Sequence, residues 1–379
     1  MEIYLDNSAT TRICSEAEEK MIYIIRNVYG NPSSLHSIGI KAQGEFNLAR
    51  RAVAESLGVS DEEIFFTSGG TEANNLAVFG AARARKKRGN KIVTTAVEHS
   101  SVLESCRALE EENFEVVYIK PEKDGCISVQ QLSEAIDENT VLVSVMMVNN
   151  ETGAVFPVEC IREIVERKNS PALIHCDAVQ AYGKTAVKPK KIKCDLLTVS
   201  AHKIHGPKGT GALYVNSGVH IKPLIYGGEQ QEKIRPGTEA LPLICGFGEA
   251  ARNIGDVRDN YIRMWKLREY AAKKLLSIDG VVLNSPMNSL PCILNVSAVG
   301  VRSETMLHYL EKRGIFISSG SACAKGKKSH VLTAMGLSPE RIDSALRISF
   351  SRFSGEREID ELADGVEKGL KELVKSNYK

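Results

Sequence analysis

The sequence predicts an α/β protein with two domains, the larger of which is built on a mainly parallel β-sheet with helices on both faces. Along most of the chain, short apolar runs typical of buried strands alternate with stretches of helical periodicity. Several of these runs end in polar or glycine-rich turns. The remainder has the pattern of a compact α+β unit. We therefore expect a large domain at residues 15–255 and a small domain formed by residues 1–14 and 256–379.

Composition and charge indicate an ordinary globular chain. Of its 379 residues, 43% are apolar and 25% are charged, which suits two domains with a substantial core. Lys and Arg number 49 and Asp and Glu 47, so the overall charge favours neither nucleic acid nor an anionic membrane as a partner. The amino terminus lacks a signal-peptide pattern, and no apolar stretch is long enough to span a membrane. We expect a cytoplasmic protein.

The predicted elements follow one another in the order of an α/β fold. A long helical stretch at 241–276 is expected to leave the large domain. The predicted strands lie at residues 3–5, 63–67, 91–95, 115–119, 140–148, 171–175, 196–199, 212–215, 293–296, 314–317 and 346–350, and the predicted helices at 15–28, 39–57, 72–88, from 98 onwards, 129–136, 161–168, 241–276, 303–312 and 356–375.

The motif SGGT, residues 68–71, lies between a predicted strand and a predicted helix. In that layout the free N–H groups of the first helical turn and the helix dipole can bind a phosphate. The motif has neither the GK[ST] of a Walker loop nor the pattern GxGxxG. We predict a phosphate site that includes Gly70 and Thr71, with a simple strand-to-helix turn as the alternative.

Polar residues follow three further predicted strands. His99, Asn150 and Asp177 are therefore expected at the carboxyl edge of the sheet, where ligands bind. A carboxylate at Asp177 is what a pyridine nitrogen needs to stay protonated, and Gln180 can donate to the phenolic oxygen of the same ring. A helix cap is the alternative for Asp177, and a structural role is the alternative for His99.

Lys203 follows the predicted strand at 196–199 within SAHK, and the glycine-rich stretch HGPKGTG comes next. A lysine presented at a strand end can form a Schiff base with a carbonyl, which is how pyridoxal phosphate is anchored. A surface lysine beside a hairpin is the alternative.

Arg347 is a charged residue within the apolar predicted strand LRISF. Because an unpaired buried guanidinium is costly, Arg347 needs a carboxylate partner. An amino-acid substrate can supply one through paired hydrogen bonds, and an internal Asp or Glu is the alternative.

The nine cysteines are scattered, which argues against a metal centre and against a disulfide framework. Most are expected to be small buried apolar residues. Cys323 differs because it lies in a segment of small residues, SSGSACAKGKK. Nearby ammonium groups favour its thiolate, the nucleophilic form, and the small residues predict a segment that can move. A cysteine without a chemical role is the alternative.

Taken together, the motifs closely resemble those of the NifS/IscS-type cysteine desulfurases, which are pyridoxal-phosphate enzymes with the class V aminotransferase fold. The resemblance implies the transferase fold of aspartate aminotransferase, type I, and it covers nearly the whole chain. The motifs occur in the family's order: YLDNSATT, GNPSSLH, TSGGTEANNL, VEHSSV, VNNETG, HCDAVQ, SAHKIHGPKGTGALYV, RPGT and SSGSAC.

The resemblance implies roles for the matching residues. Lys203 would hold the cofactor, His99 would stack on its ring and move protons, and Asn150 would lie beside the ring and the substrate. Asp177 would pair with the pyridine nitrogen and Gln180 with the phenolic oxygen. Residues that would hold the phosphate are Gly70, Thr71, Ser200 and His202, and Thr238 would reach the phosphate of a partner subunit in a homodimer.

The activity that the resemblance implies is conversion of L-cysteine to L-alanine, with the sulfur held as a persulfide on Cys323. Arg347 would bind the substrate carboxylate. The sulfur would pass to an acceptor protein, either an iron–sulfur scaffold or a tRNA-thiolation enzyme, and Cys323 could contact an iron–sulfur cluster during transfer. The alternatives are a selenocysteine lyase, another class V aminotransferase, or a non-catalytic sulfur carrier or scaffold.

Overall fold

A seven-stranded β-sheet forms the centre of the larger part of the molecule. The computed structural model describes residues 2–319 and 328–374. The strands are β1 (Ile3–Tyr4), β2 (Ile64–Thr67), β3 (Lys91–Thr95), β4 (Glu115–Ile119), β5 (Thr140–Met146), β6 (Leu173–Asp177), β7 (Leu196–Ser200), β8 (Gly211–Val215), β9 (Val281–Leu283), β10 (Ile293–Ala298), β11 (Ile315–Phe316) and β12 (Ala345–Ser349).

Helices pack around the sheets, and their bounds agree with most of the predicted ones to within a few residues. They are α1 (Ser15–Asn27), α2 (Ser37–Leu57), α3 (Gly70–Arg85), α4 (Ser100–Glu111), α5 (Val129–Ala135), α6 (Ile161–Arg167), α7 (Pro189–Ile192), α8 (Leu241–Arg252), α9 (Val257–Leu276), α10 (Ser303–Glu311), α11 (His330–Ala334), α12 (Pro339–Asp343) and α13 (Glu356–Glu372).

The large sheet has the strand order β2-β8-β7-β6-β5-β3-β4. Its strands β7, β6, β5, β3 and β4 run parallel to one another, whereas β8 is antiparallel to both β2 and β7. Every residue of β5, β6 and β7 is buried, as expected of strands covered by helices on both faces. The predicted α/β class with a mainly parallel sheet is confirmed.

The strand directions bring several loops to one edge of this sheet. The parallel strands β3, β5, β6 and β7 end there, and β2 runs in the same direction because two antiparallel pairings separate it from β7. The segments that follow these five strands begin at residues 68, 96, 147, 178 and 201. The edge is therefore where the predicted functional residues can meet.

Smaller sheets bring the two ends of the chain together. Strands β9, β10 and β12 form an antiparallel sheet in the order β12-β10-β9, and β1 pairs with β11 in parallel. The backbone N–H of Ser349 donates to the carbonyl of Leu5 over 2.7 Å. Residues that follow β1 are thereby held against the end of β12. The predicted domain boundaries stay a prediction.

The predicted helical stretch at 241–276 is confirmed, and it consists of two helices, α8 and α9. The chain breaks at Gly255, whose φ of +77° is in the left-handed region that favours glycine. The Asp256 side chain then caps α9 by accepting hydrogen bonds from the N–H groups of Arg258 and Asp259. Within the described residues, no helix is long and apolar enough to cross a membrane.

Candidate active site

A cavity of about 440 Å³ lies at the carboxyl edge of the large sheet. Ten of the predicted site residues line it, and they come from segments that are far apart in the sequence. These residues are Gly70, Thr71, His99, Asn150, Asp177, Gln180, Ser200, His202, Lys203 and Arg347.

Asp177 is the last residue of β6 and is buried. Its Oδ2 accepts a hydrogen bond from Nδ2 of Asn74 over 2.7 Å, and its Oδ1 accepts one from the N–H of Val179 over 2.9 Å. The second contact closes a local turn, while the carboxylate still lines the cavity. The hydrogen bond from Val179 explains why an acidic residue occupies the end of this strand. Because Asp177 also lines the cavity, its carboxylate is available to a ligand.

His99 stands at the N-cap position of α4. Its Nδ1 lies 3.2 Å from the N–H of Ser101 and 2.8 Å from the Ser101 hydroxyl. Burial lowers the pKa of His99, and the charge of Asp177 partly offsets that effect. The ring therefore lines the cavity as a neutral imidazole at neutral pH.

Lys203 lies in a single turn of 3-10 helix, Ala201–Lys203, directly after β7. Its Nζ donates to the backbone carbonyls of Ser8 and Ala9 over 2.5 and 2.7 Å. Nε2 of Gln180 donates to the same Ser8 carbonyl over 2.9 Å. The segment after β1 thus holds the lysine and the glutamine side by side, a relationship that the sequence did not predict.

One end of the cavity suits a phosphate. The Ser200 hydroxyl oxygen is buried and has no hydrogen-bond partner among the described residues. At Gly70 a Cβ atom would lie 3.0 Å from Cγ2 of Val179, so a side chain there would enter the space between α3 and β7. The first turn of α3 leaves backbone N–H groups without helical partners beside Thr71. The phosphate would therefore find an unpaired hydroxyl at Ser200, space beside Gly70 and free N–H donors at the start of α3.

His202 adds a neutral polar group to this end. Burial, with a smaller contribution from the charge of Lys203, lowers the pKa of His202 to about 3. Its Nδ1 lies 3.2 Å from the hydroxyl of Thr10. His202 can therefore hydrogen-bond an anion at neutral pH but contributes no charge to it.

Arg347 has the internal partner that the sequence left open as an alternative. Its Nη2 donates to Oδ1 of Asp6 over 2.9 Å, and its Nη1 donates to the carbonyl of Asn150 over 3.2 Å. Its side chain is 4% exposed, and its Nε has no acceptor among the described residues. Because a guanidinium has five N–H donors, Arg347 still has donors to offer at the cavity.

Several cavity residues were missed by the sequence analysis. Glu151 is buried and accepts from the Ser329 hydroxyl over 2.5 Å, and burial raises its pKa to about 7. His330 donates from Nε2 to the carbonyl of Glu98 over 3.1 Å. Glu151 lies within the motif NNETG and could have been found there, whereas nothing in the sequence marks His330.

Two predicted residues do not line this cavity. Thr238 is exposed, in a loop that borders a separate cavity together with α2. Cys323 lies outside the described residues. Before its segment, Ser318 pairs through backbone hydrogen bonds with Arg347, which lines the active-site cavity. After it, Lys328, Ser329 and His330 line the cavity themselves.

Comparison with known proteins gives a consistent result. The profile of the family described as "Aminotransferase class-V" matches residues 3–362. The cysteine desulfurase IscS of Methanosarcina thermophila is 40% identical over 375 residues, covering 98% of this chain and 92% of its own length.

Two solved structures resemble the chain over most of its length. A NifS-like protein superposes with a TM-score of 0.93 at 39% identity, covering 98% of this chain and all of its own. A structure titled "SspA in complex with cysteine" superposes with a TM-score of 0.82 at 34% identity, covering 94% of this chain and all of that one.

Proposed function

Because the chain belongs to the aminotransferase class-V family, we propose that it is a cysteine desulfurase that uses pyridoxal 5′-phosphate. It removes the sulfur of L-cysteine, releases L-alanine and holds the sulfur on Cys323. The observation that carries the proposal is that Lys203, Asp177 and the orphan hydroxyl of Ser200 line one cavity. The substrate follows from relatives that are named cysteine desulfurases and from the similar structure with bound cysteine.

Each part of the cofactor has its own binding residues in the cavity. Lys203 would hold it covalently, Asp177 would pair with the pyridine nitrogen, Gln180 would donate to the phenolic oxygen, and His99 would lie against the ring. When bound, the cofactor withdraws electrons from the substrate's α-carbon and so weakens bonds there. The phosphate is held by Gly70, Thr71, Ser200 and His202.

Arg347 and Asn150 orient the substrate. Guanidinium N–H groups bind the carboxylate of L-cysteine, while Asp6 keeps Arg347 in place from the other side. The Lys203 amine would accept the substrate's α-proton, and His99 would assist in proton transfer. The hydrogen bonds of Arg347 to Asp6 and to the Asn150 carbonyl hold its guanidinium in one orientation, which fixes where the substrate carboxylate binds.

Cys323 receives the sulfur. Its thiolate attacks the substrate sulfur, the Cβ–S bond breaks, and the carbon keeps the electron pair and is protonated to the methyl group of alanine. The sulfur remains on Cys323 as a persulfide. Supporting this assignment, the described residues after its segment line the cavity, and Ser318 before it pairs with the cavity residue Arg347. The persulfide sulfur then passes to an acceptor protein, an iron–sulfur scaffold or a tRNA-thiolation enzyme.

A homodimer completes the site. Large apolar side chains are exposed on α1, on α2 and between them, among them Tyr29 at 78% and Leu35 at 94%. Such a patch is typical of a protein–protein interface. The loop of Thr238 borders α2 and the same connecting segment, at Ser33, so a second copy seated on this patch would bring Thr238 towards its partner. Thr238 then reaches the phosphate in the partner subunit.

Product analysis tests the proposed reaction. The purified chain is given L-cysteine, L-selenocysteine, or an amino acid with a keto acid, and the products are measured. We expect alanine and protein-bound sulfur from L-cysteine without any keto acid. Alanine from selenocysteine alone would indicate a selenocysteine lyase, and amino transfer to the keto acid would indicate an aminotransferase. In a single turnover, Cys323→Ser should bind the cofactor normally but form no alanine; normal turnover by this variant would overturn the role of Cys323.

A further inference from the structure

One side-chain amide joins two groups of the active site. Nδ2 of Asn74 donates to Oδ2 of Asp177 over 2.7 Å and to the hydroxyl oxygen of Ser101 over 2.8 Å. The same hydroxyl lies 2.8 Å from Nδ1 of His99. Asn74 and Ser101 are both buried, so water does not compete for these contacts. A continuous chain of hydrogen bonds therefore runs from Asp177 to His99.

The direction of every hydrogen bond in this chain can be assigned. A carboxylate only accepts, so the nitrogen end of the Asn74 amide must face Asp177. Both protons of that nitrogen are then used, the second of them on the Ser101 oxygen. The Asn74 oxygen has no partner among the described residues, which shows that the contact with Asp177 determines how the amide is turned.

The same hydrogen bonds determine which nitrogen of the His99 imidazole carries the proton. The Ser101 hydroxyl can accept from Asn74 and still donate its own proton, which is available to Nδ1 of His99. The backbone N–H of Ser101 also points to Nδ1, over 3.2 Å, and an N–H can only donate. Two donors thus converge on Nδ1, which must carry the lone pair. In a neutral imidazole the proton then sits on Nε2.

We propose that Asn74 and Ser101 are positioning residues that fix the tautomer of His99, so that its Nε2–H faces the cavity as a proton donor. This inference rests on the proposed function for the reaction in which the proton is used. The two groups that move protons then have different roles. Lys203 accepts the substrate's α-proton, and His99 donates a proton from Nε2.

The surroundings of His99 agree with this role. The charged and titratable groups that act on it are Asp177 on β6, Lys203 after β7 and His330 on α11. Burial is the main cause that lowers the pKa of His99, and the two donors at Nδ1 also oppose protonation there. A ring that stays neutral keeps a defined donor nitrogen.

Nitrogen-15 NMR of the full-length protein tests the inference directly. The chain has eight histidines, so selective labelling with ¹⁵N-histidine gives few signals, and His99→Asn identifies the His99 pair. Spectra are recorded with pyridoxal phosphate bound and after its removal, across a pH titration. We expect Nδ1 at the shift of an unprotonated nitrogen and Nε2 at that of a protonated one.

Variants that change the hydrogen bonds at Nδ1 of His99 provide a second test. Ser101→Ala removes one donor from Nδ1, and Asn74→Ala frees the Ser101 oxygen to accept a proton from a charged imidazole. Both should raise the titration midpoint of His99, by roughly one pH unit for the loss of one hydrogen bond. The control is Ser105→Ala, a buried serine of α4 whose hydroxyl donates to the Ser101 carbonyl and not to the imidazole; its midpoint should match the unmodified protein.

A proton on Nδ1 of the neutral ring in the unmodified protein would overturn the inference without any variant. So would equal midpoints for Ser101→Ala and Ser105→Ala. The proposed function has a separate test: if Lys203 does not carry the cofactor, the function fails whatever the tautomer, and the tautomer can fail while desulfuration stands.

Discussion

Nζ of Lys184 donates to Oε1 of Gln180 over 3.1 Å, and this contact acts together with the Ser8 carbonyl to set which end of the Gln180 amide faces the cavity. An ammonium group can only donate, so the oxygen must turn towards Lys184 and the NH₂ group towards Lys203 and Ser8. Burial lowers the pKa of Lys184 to about 8, so the side chain is still charged at neutral pH. Lys184 itself lies behind the cavity wall.

Lys184→Met should alter the ionisation of the bound cofactor. Without Lys184, only the Ser8 carbonyl still orients the Gln180 amide, so a larger fraction of molecules turns the amide oxygen inward. In that fraction the phenolic oxygen loses a donor that favours its more negative form. The pH midpoint of the visible absorbance change should therefore rise. Lys184→Arg keeps the charge and the donor and should stay close to the unmodified midpoint. If Met and Arg shift the midpoint equally, the contact with Gln180 does not orient the amide.

Ser200→Ala should weaken cofactor binding without weakening the fold. The Ser200 hydroxyl has no partner among the described residues, so its removal breaks no hydrogen bond within the chain. A hydrogen bond to a charged phosphate is worth about 1.5–3 kcal/mol, which corresponds to a loss of affinity of roughly 10- to 100-fold. Equilibrium titration of the cofactor-free protein with pyridoxal phosphate measures this loss of affinity.

The matched control for Ser200→Ala is Ser144→Ala. Ser144 is a buried serine of β5, which β6 separates from β7 in the same sheet, and its hydroxyl is paired with Nδ1 of His175 over 2.8 Å. Its removal should lower the free energy of unfolding by about 1 kcal/mol and leave cofactor affinity unchanged. Equal affinities for the two variants would show that Ser200 does not contact the phosphate.

Asp6→Asn should destabilise the protein because it leaves the Arg347 guanidinium buried without its ion-pair partner. Breaking a buried pair from one side costs about 3 kcal/mol, and the partial exposure of Asp6 makes a smaller loss reasonable here. Urea unfolding measures the change. In the double variant Asp6→Asn/Arg347→Met part of the loss should return, and a loss in the double variant equal to the sum of the single ones would contradict the pairing.

Glu98 gives the protein a pH dependence that Glu98→Gln should remove. The carboxyl group is fully buried, and burial raises its pKa to about 8. The native state therefore holds a proton that the unfolded state loses above about pH 4.5. Stability from this group is complete at low pH and is lost as the pH rises from about 4.5 towards 8.

The unfolding free energy of the unmodified protein should thus fall relative to Glu98→Gln over that window, by a few kcal/mol in total. Urea unfolding of both proteins at pH 5, 6.5 and 8 measures the difference. A difference that does not change with pH would mean that Glu98 is not protonated in the native state at neutral pH.

Much of the site could be predicted because one rule of topology applies to it. Parallel strands end at the same edge, so Asp177, His99 and Asn150 could be placed together from strand pattern alone. Lys203 joined them for the same reason. The Arg347 prediction rested on the cost of a buried charge, and the structure supplies Asp6 as the partner that the sequence left open.

The rest depends on contacts between distant segments. Ser8 contacts Ser349 and Lys203, and no local pattern signals either contact. Asn74 and Asn75 are adjacent and identical in type, yet only Asn74 faces Asp177, because the rotation of α3 decides which side chain turns inward. Elements of three to five residues, such as α7, β9, α11 and α12, are too short to show a period.

Peptide mapping after borohydride reduction tests the central claim most directly. Borohydride fixes a carbonyl cofactor to the amine that holds it, and mass spectrometry of the digest then locates the adduct. We predict a single reduced pyridoxyl adduct on Lys203, with none on Lys184 or Lys208. An adduct on another lysine, or no adduct in protein that has been saturated with pyridoxal phosphate, would contradict the account.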